Sequence, residues 1–154
     1  MNSIVGAIEF DLETTASPEK VRTALIDFSE RRPQLWPGIE PSLFQVYSVG
    51  ETTADVREGS KGPGTKLWAR EHYEWSDPHT VRWTVQESNF SAPGSYVAAT
   101  VRPGRDGGSV VHVTWDRTGS TVVGLLICRM IRKSKGKPVA SSFKRGLAVL
   151  ESGD

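Results

Sequence analysis

Cysteine is nearly missing: Cys128 is the only one in 154 residues, which excludes an intramolecular disulfide and any metal site built on cysteine pairs. Nothing in the chain therefore calls for an oxidising compartment. Net charge is nearly missing too. Nineteen basic side chains against eighteen acidic ones leave +1, so no global field draws the chain to nucleic acid or to an anionic membrane, and only local patches can do so. Long apolar runs are also absent. The longest nearly apolar stretch, 122–131, contains Gly124 and Arg129 and is about half of the roughly 20 residues that span a bilayer. The first ten residues hold neither a basic leader nor an apolar run of signal-peptide length, and the cytoplasm is the expected location.

The usual catalytic signatures are lacking as well. His72, His79 and His112 stand singly, no Ser or Cys sits in a nucleophile elbow, and no set of ligands converges on a metal. The glycine-rich run 104–108 lies between two strand-like segments and reads as a hairpin loop, not as a phosphate cradle. No cofactor is expected.

What is present is a chain of ordinary globular composition: 37% hydrophobic residues before its fifteen glycines are counted. One domain over 1–154 is expected, because a chain of this size buries roughly 70% of its unfolded surface around a single core. Ile8, Phe10 and Leu12 alternate as in a half-buried strand over 4–12. Ser17-Pro18 then supplies an N-cap and a first-turn proline. Val21, Leu25 and Phe28 give the ensuing helix one apolar stripe, and Pro33 and Pro37-Gly38 confine a second helix to 29–35. Six β-rich segments follow, at 42–49, 53–58, 65–76, 80–87, 95–102 and 109–119, separated by turn residues and with no room for a crossover helix. They predict an antiparallel meander. Residues 121–150 read as one long helix broken once at 134–138, with Val139, Phe143, Leu147 and Leu150 forming a regular stripe in its second half. That half is the expected clamp of the fold, and the first half with the break is the expected adjustable lid.

Four local signals stand along this order: Ala16-Ser17-Pro18-Glu19-Lys20-Val21 after the first strand, Trp36-Pro37 after the short helix, Gly64-Thr65-Lys66-Leu67 opening a strand, and the ending Phe-Lys-Arg-Gly-Leu-Ala-Val-Leu at 143–150. With them the chain resembles the START/Bet v 1-like (SRPBCC) superfamily, which includes polyketide cyclases/dehydrases and lipid-transport proteins. The resemblance implies an α+β helix-grip fold: a curved seven-stranded antiparallel sheet wrapped around a long C-terminal helix, with two short helices after the first strand. It also implies an apolar cavity between sheet and helix that binds a small hydrophobic or aromatic molecule, polyketide-, lipid- or sterol-like. It implies no single reaction, and no catalytic residue transfers by motif.

The inner faces follow from period-two alternation. One face of 65–76 carries Leu67, Ala69, Glu71, Tyr73 and Trp75; Val81, Trp83 and Val85 continue it, as do Val111, Val113, Trp115 and Arg117. These faces are apolar and aromatic except for Glu71 and Arg117. Either the two orient a ligand, or they lie near strand ends where they reach solvent or pair with each other. In an enzyme of polyketide cyclase/dehydratase type, working without metal, Glu71 is the candidate acid/base and Arg117 or Tyr73 the group polarising an oxygen. The candidate ligand-binding set is Trp36, Leu67, Tyr73, Trp75, Trp83, Val113, Trp115 and Leu125, where each tryptophan either lines a ligand site or fills the core. Trp36 is the candidate for the mouth, Trp83 and Trp115 for the wall. Arg129, Arg132, Lys133, Lys135 and Lys137 cluster beside 122–131. They form either a weak membrane contact, as in a membrane-docking lipid carrier, or the solvated side and end of a core helix. No nucleic-acid partner is expected, and the oligomeric state stays open.

Overall fold

The structure is a computed structural model and describes residues 7–62 and 64–153. β1 (Ile8–Thr14) is followed by helices α1 (Pro18–Leu25) and α2 (Arg32–Leu35), then by β2 (Gln45–Val49), β3 (Thr53–Gly62), β4 (Thr65–Glu74), β5 (Thr80–Ser88), β6 (Tyr96–Pro103) and β7 (Ser109–Asp116). Two helices close the chain, α3 (Val122–Lys133) and α4 (Lys137–Ser152). The part of the expected first strand before residue 7 lies outside the described residues. The strand expected from 42 begins at Gln45, because Pro41–Leu43 forms a 3₁₀ turn after Glu40, whose carboxylate accepts a hydrogen bond from the Ser42 hydroxyl at 3.0 Å.

All seven strands form one antiparallel sheet in the order β1-β7-β6-β5-β4-β3-β2. β1 and β2 therefore occupy opposite edges, and the segment joining them has to travel the whole width of the sheet. It does so as α1 and α2; the buried residues Val21, Ala24 and Leu25 of α1 join the core of the sheet. Ser17 caps α1 by accepting from the Lys20 amide at 3.1 Å, as its position before Pro18 requires. Register shifts at Val46/Ser48 and at Arg70/Glu71 bend the curved sheet; bulges increase local twist and re-aim side chains. The second shift lies directly beside Glu71.

The break in the C-terminal segment is a short loop. Lys135 and Gly136 take φ of 59° and 81°, in the left-handed region that favours glycine. A Cβ at Gly136 would also stand 2.7 Å from the Ile8 side chain, so β1 itself keeps that position bare. Beyond it, Leu147 and Leu150 are buried, with Val139 and Phe143 packed against the core. α4 is the helix the sheet grips.

α3 departs from the expectation of a core helix. It buries only its small residues Gly124 and Cys128, while Val122, Val123, Leu125, Leu126 and Met130 are 48–74% exposed. The inward side must be small: a Cβ at Gly124 would lie 1.9 Å from the carbonyl oxygen of Phe90. Close approach to that loop turns the large apolar side chains outward. Among the described residues no helix is long and apolar enough to cross a membrane.

Candidate functional site

Cross-strand register builds the floor of the site. Tyr73 pairs with Trp83, Trp83 with Val97 and Val97 with Trp115, so one row of side chains crosses four strands on the buried face. Tyr73 and Trp83 stack with ring centroids 5.2 Å apart. Phe143 of α4 faces this row from the other side, 6.2 Å from Trp83 and 6.1 Å from Trp36. Between them lies a cavity of about 310 Å³, whose helical wall comes from Pro138, Val139, Ser142 and Phe143 of α4.

Two ion pairs are set into this apolar and aromatic lining. In the first, the Arg32 guanidinium donates to Glu58 through Nε, to the carbonyls of Leu25 and Asp27 through Nη1 (3.0 and 2.9 Å), and to the Tyr73 hydroxyl through Nη2 (3.1 Å). The Tyr73 hydroxyl donates in turn to Glu58. Arg32 also lies over the Phe28 ring at 4.5 Å. Every terminal nitrogen of this buried guanidinium is engaged, so the group ties α1, α2, β3 and β4 together. Burial, and then the charge of Glu58, hold the Tyr73 phenol well above its ordinary pKa; it stays a neutral donor.

The second pair is incomplete. Arg117, just beyond β7, donates through Nη2 to Glu71 Oε2 at 2.8 Å, and the side chains are 13% and 4% exposed. Its other terminal nitrogen, Nη1, is buried with no acceptor among the described residues. Burial raises the pKa of Glu71; the adjacent Arg117 pulls the other way without cancelling it. Backbone contacts fix the arginine from behind, since the Arg117 carbonyl accepts from the Arg132 guanidinium, which sits 5.3 Å from the Trp115 ring. The site thus presents a buried carboxyl able to hold or release a proton and a cationic N–H with no acceptor among the described residues. Among the described residues no group of three or more His, Cys, Asp or Glu side chains is placed to hold a metal ion.

Of the sequence-derived ligand set, Trp36, Leu67, Tyr73, Trp83 and Trp115 line the cavity, together with Glu71 and Arg117. Trp36 is a buried wall residue and not an exposed mouth: its indole donates to the Ala24 carbonyl at 3.0 Å and its ring lies on Gly146. Three residues do not line it. Trp75 is buried against Phe28, at the end of the groove occupied by the α1–α2 connection, where Arg22 donates to its carbonyl. Val113 is fully buried one row along from Trp115, on the part of the sheet that α1 covers. Leu125 is 55% exposed, because α3 turns outward. For the same reason α3 is not the lid over this cavity; no α3 residue is among those lining it.

Arg32 and Glu58 are site residues that sequence reasoning missed. Glu58 was legible in principle, since it shares the parity of Ala54 and Val56, both buried on β3. Arg32 carried no such signal, because its direction is set by a four-residue helix packed over the sheet.

Several solved structures share this architecture. The Zhui aromatase/cyclase from Streptomyces sp. R1128 superposes with a TM-score of 0.74 at 10% identity, over 92% of this chain and 90% of its own. A START superfamily protein from Mycobacterium smegmatis gives 0.71 at 13% identity, over 94% and 98%. Norcoclaurine synthase from Thalictrum flavum, in complex with dopamine and hydroxybenzaldehyde, gives 0.67 at 13%, over 96% and 88%. No family model matches the sequence, and no curated protein matches it. The likeness establishes the helix-grip fold.

Proposed function

We propose that the protein binds a small, compact hydrophobic or aromatic molecule carrying at least one acceptor oxygen, in the cavity between the sheet and α4. The observation that carries this reading is the buried Arg117 Nη1 without an acceptor among the described residues, set beside Glu71 in an aromatic-walled cavity. Ligand pockets typically combine apolar walls with a few placed polar groups and enclose roughly 300–1,000 Å³. At about 310 Å³ this one suits a compact ring system of polyketide type better than a two-chain lipid. Trp36, Trp83 and Trp115 supply the apolar faces, and Arg117 gives the orientation.

A second reading, turnover of such a ligand, is favoured by one specific feature. Glu71 is a buried carboxyl with a raised pKa within hydrogen-bond reach of a cation. That combination suits proton transfer at a carbon or oxygen polarised by Arg117, as a cyclase or dehydratase of polyketide-like substrates requires. Two proteins of the same fold are an aromatase/cyclase and a synthase holding aromatic ligands.

Native mass spectrometry of the purified protein, with extraction of any retained molecule, tests the first reading and names the chemical class. Titration with aromatic polyketides should quench the fluorescence of Trp83, and Arg117→Met should weaken binding of oxygen-bearing ligands far more than of their hydrocarbon analogues. Equal affinity for both would remove Arg117 from the ligand. For turnover, Glu71→Gln should abolish product while sparing binding; unaltered rates would leave the protein a binder.

A further inference from the structure

The net charge of +1 conceals a strong separation. Residues 117–150 hold eight Lys and Arg and no Asp or Glu, leaving eleven basic and eighteen acidic residues elsewhere. α3 sits in that segment with its polarity reversed for a helix packed on a protein. Val122, Val123, Leu125, Leu126 and Met130 share its outer face with the exposed Arg129 and Lys133, while Gly124 and Cys128 face inward. Lys135 and Lys137, both exposed, extend the basic zone through the loop to α4. Five large aliphatic side chains left in water on one helix form a patch that marks an interaction surface.

We infer that α3 docks this protein on an anionic phospholipid bilayer. The apolar residues are aliphatic and carry no side-chain hydrogen-bonding groups, so they match acyl chains and offer little to the polar rim of a protein interface. The basic residues lie beside them at headgroup level, and phosphate is the complementary charge. A second copy of the chain is a poor occupant, because a two-fold contact through this face would bring the two basic zones together. The docked helix also has a direct line to the cavity. Gly124 rests on the backbone of Phe90, and Phe90 lines the cavity together with Pro138, one residue beyond Lys137. A bilayer held on α3 would sit beside Phe90 and Pro138, two residues of the cavity wall. The inference stands without the ligand reading, because vesicle binding is measured with no ligand present.

Co-sedimentation with phosphatidylcholine vesicles, with and without phosphatidylglycerol, tests it. The wild-type chain should sediment only with the phosphatidylglycerol vesicles and be released by high salt. Leu125→Ser with Leu126→Ser, both at exposed positions, should keep the wild-type circular dichroism and melting midpoint while reducing partition at least tenfold. Arg129→Gln with Lys133→Gln should reduce it on the order of tenfold at low salt. Absence of binding to phosphatidylglycerol vesicles overturns the inference, as does binding that neither double variant changes. Self-association removed by the leucine variant, without vesicle binding, would overturn it by making the face a contact between copies.

Discussion

Arg117→Met removes the cation from a buried pair while leaving the aliphatic packing of its stem, and its cost should depend on pH in a way that reports on Glu71. Breaking a buried pair by deleting one partner costs about 3–5 kcal/mol when the remaining charge has no escape. Glu71 has one, because it can take up a proton. Its folded pKa already lies above the ordinary 4.5, so between those two values the native state binds the proton more tightly than the unfolded chain. Stability therefore falls as pH rises through that window. Loss of Arg117 pushes the folded pKa higher and extends the window upward. The penalty is then capped by the work of protonating an ordinary carboxyl at the working pH: about 4 kcal/mol near pH 7.5 and under about 1 kcal/mol near pH 5, at about 1.4 kcal/mol per pH unit above 4.5. Urea unfolding followed by tryptophan fluorescence at both pH values gives the difference between variant and parent, in which the other titrating groups cancel. Adding Glu71→Gln to Arg117→Met should recover most of the loss near pH 7.5, because no charge then remains buried without a partner. A cost equal at the two pH values, or a double variant no more stable than the single, would refute the account of a desolvated Glu71 held by Arg117.

Gly146→Ala should destabilise the fold by about 1–2 kcal/mol despite the better helix propensity of alanine, since its Cβ would meet the Trp36 ring at 2.0 Å; calorimetry should show a melting midpoint lowered by about 2–8 °C. Ser17→Ala removes the α1 cap to the Lys20 amide and should cost about 1 kcal/mol without altering ligand binding, measured by the same urea titration. Phe143→Ala should enlarge the cavity and cost about 3–5 kcal/mol, and bulkier ring systems should bind it relatively better than they bind the parent in a fluorescence titration.

The strands, the two short helices and the gripped helix were legible because each rests on local chemistry: alternation in 65–76, Ser17-Pro18 at a helix start, and steps of four, four and three from Val139 to Leu150. Alternation also placed Glu71, Tyr73, Trp83 and Trp115 on one face of the sheet, since parity along a strand is local. Which part of that face stays open was not local. Trp75 and Val113 have the same parity as the cavity residues, yet the segment crossing between the edge strands covers the region around them. Leu125 illustrates the limit for helices. Its periodicity is that of a buried stripe, and only contact of Gly124 with the Phe90 backbone decides that the stripe faces water.

By itself, then, the sequence determined the order of elements, the antiparallel sheet and the apolar side of the strands at 65–76, 80–87 and 109–119, through periodicity, turn residues and capping. Tertiary structure alone decided that Glu71 and Arg117 meet 46 residues apart at 2.8 Å, that Arg32 and Glu58 complete the polar lining, and that α3 points its leucines outward. The reason is physical. Alternation fixes a side chain's face, whereas its neighbours, its desolvation and hence its protonation depend on which distant segments the sheet's edge-to-edge connection brings over it.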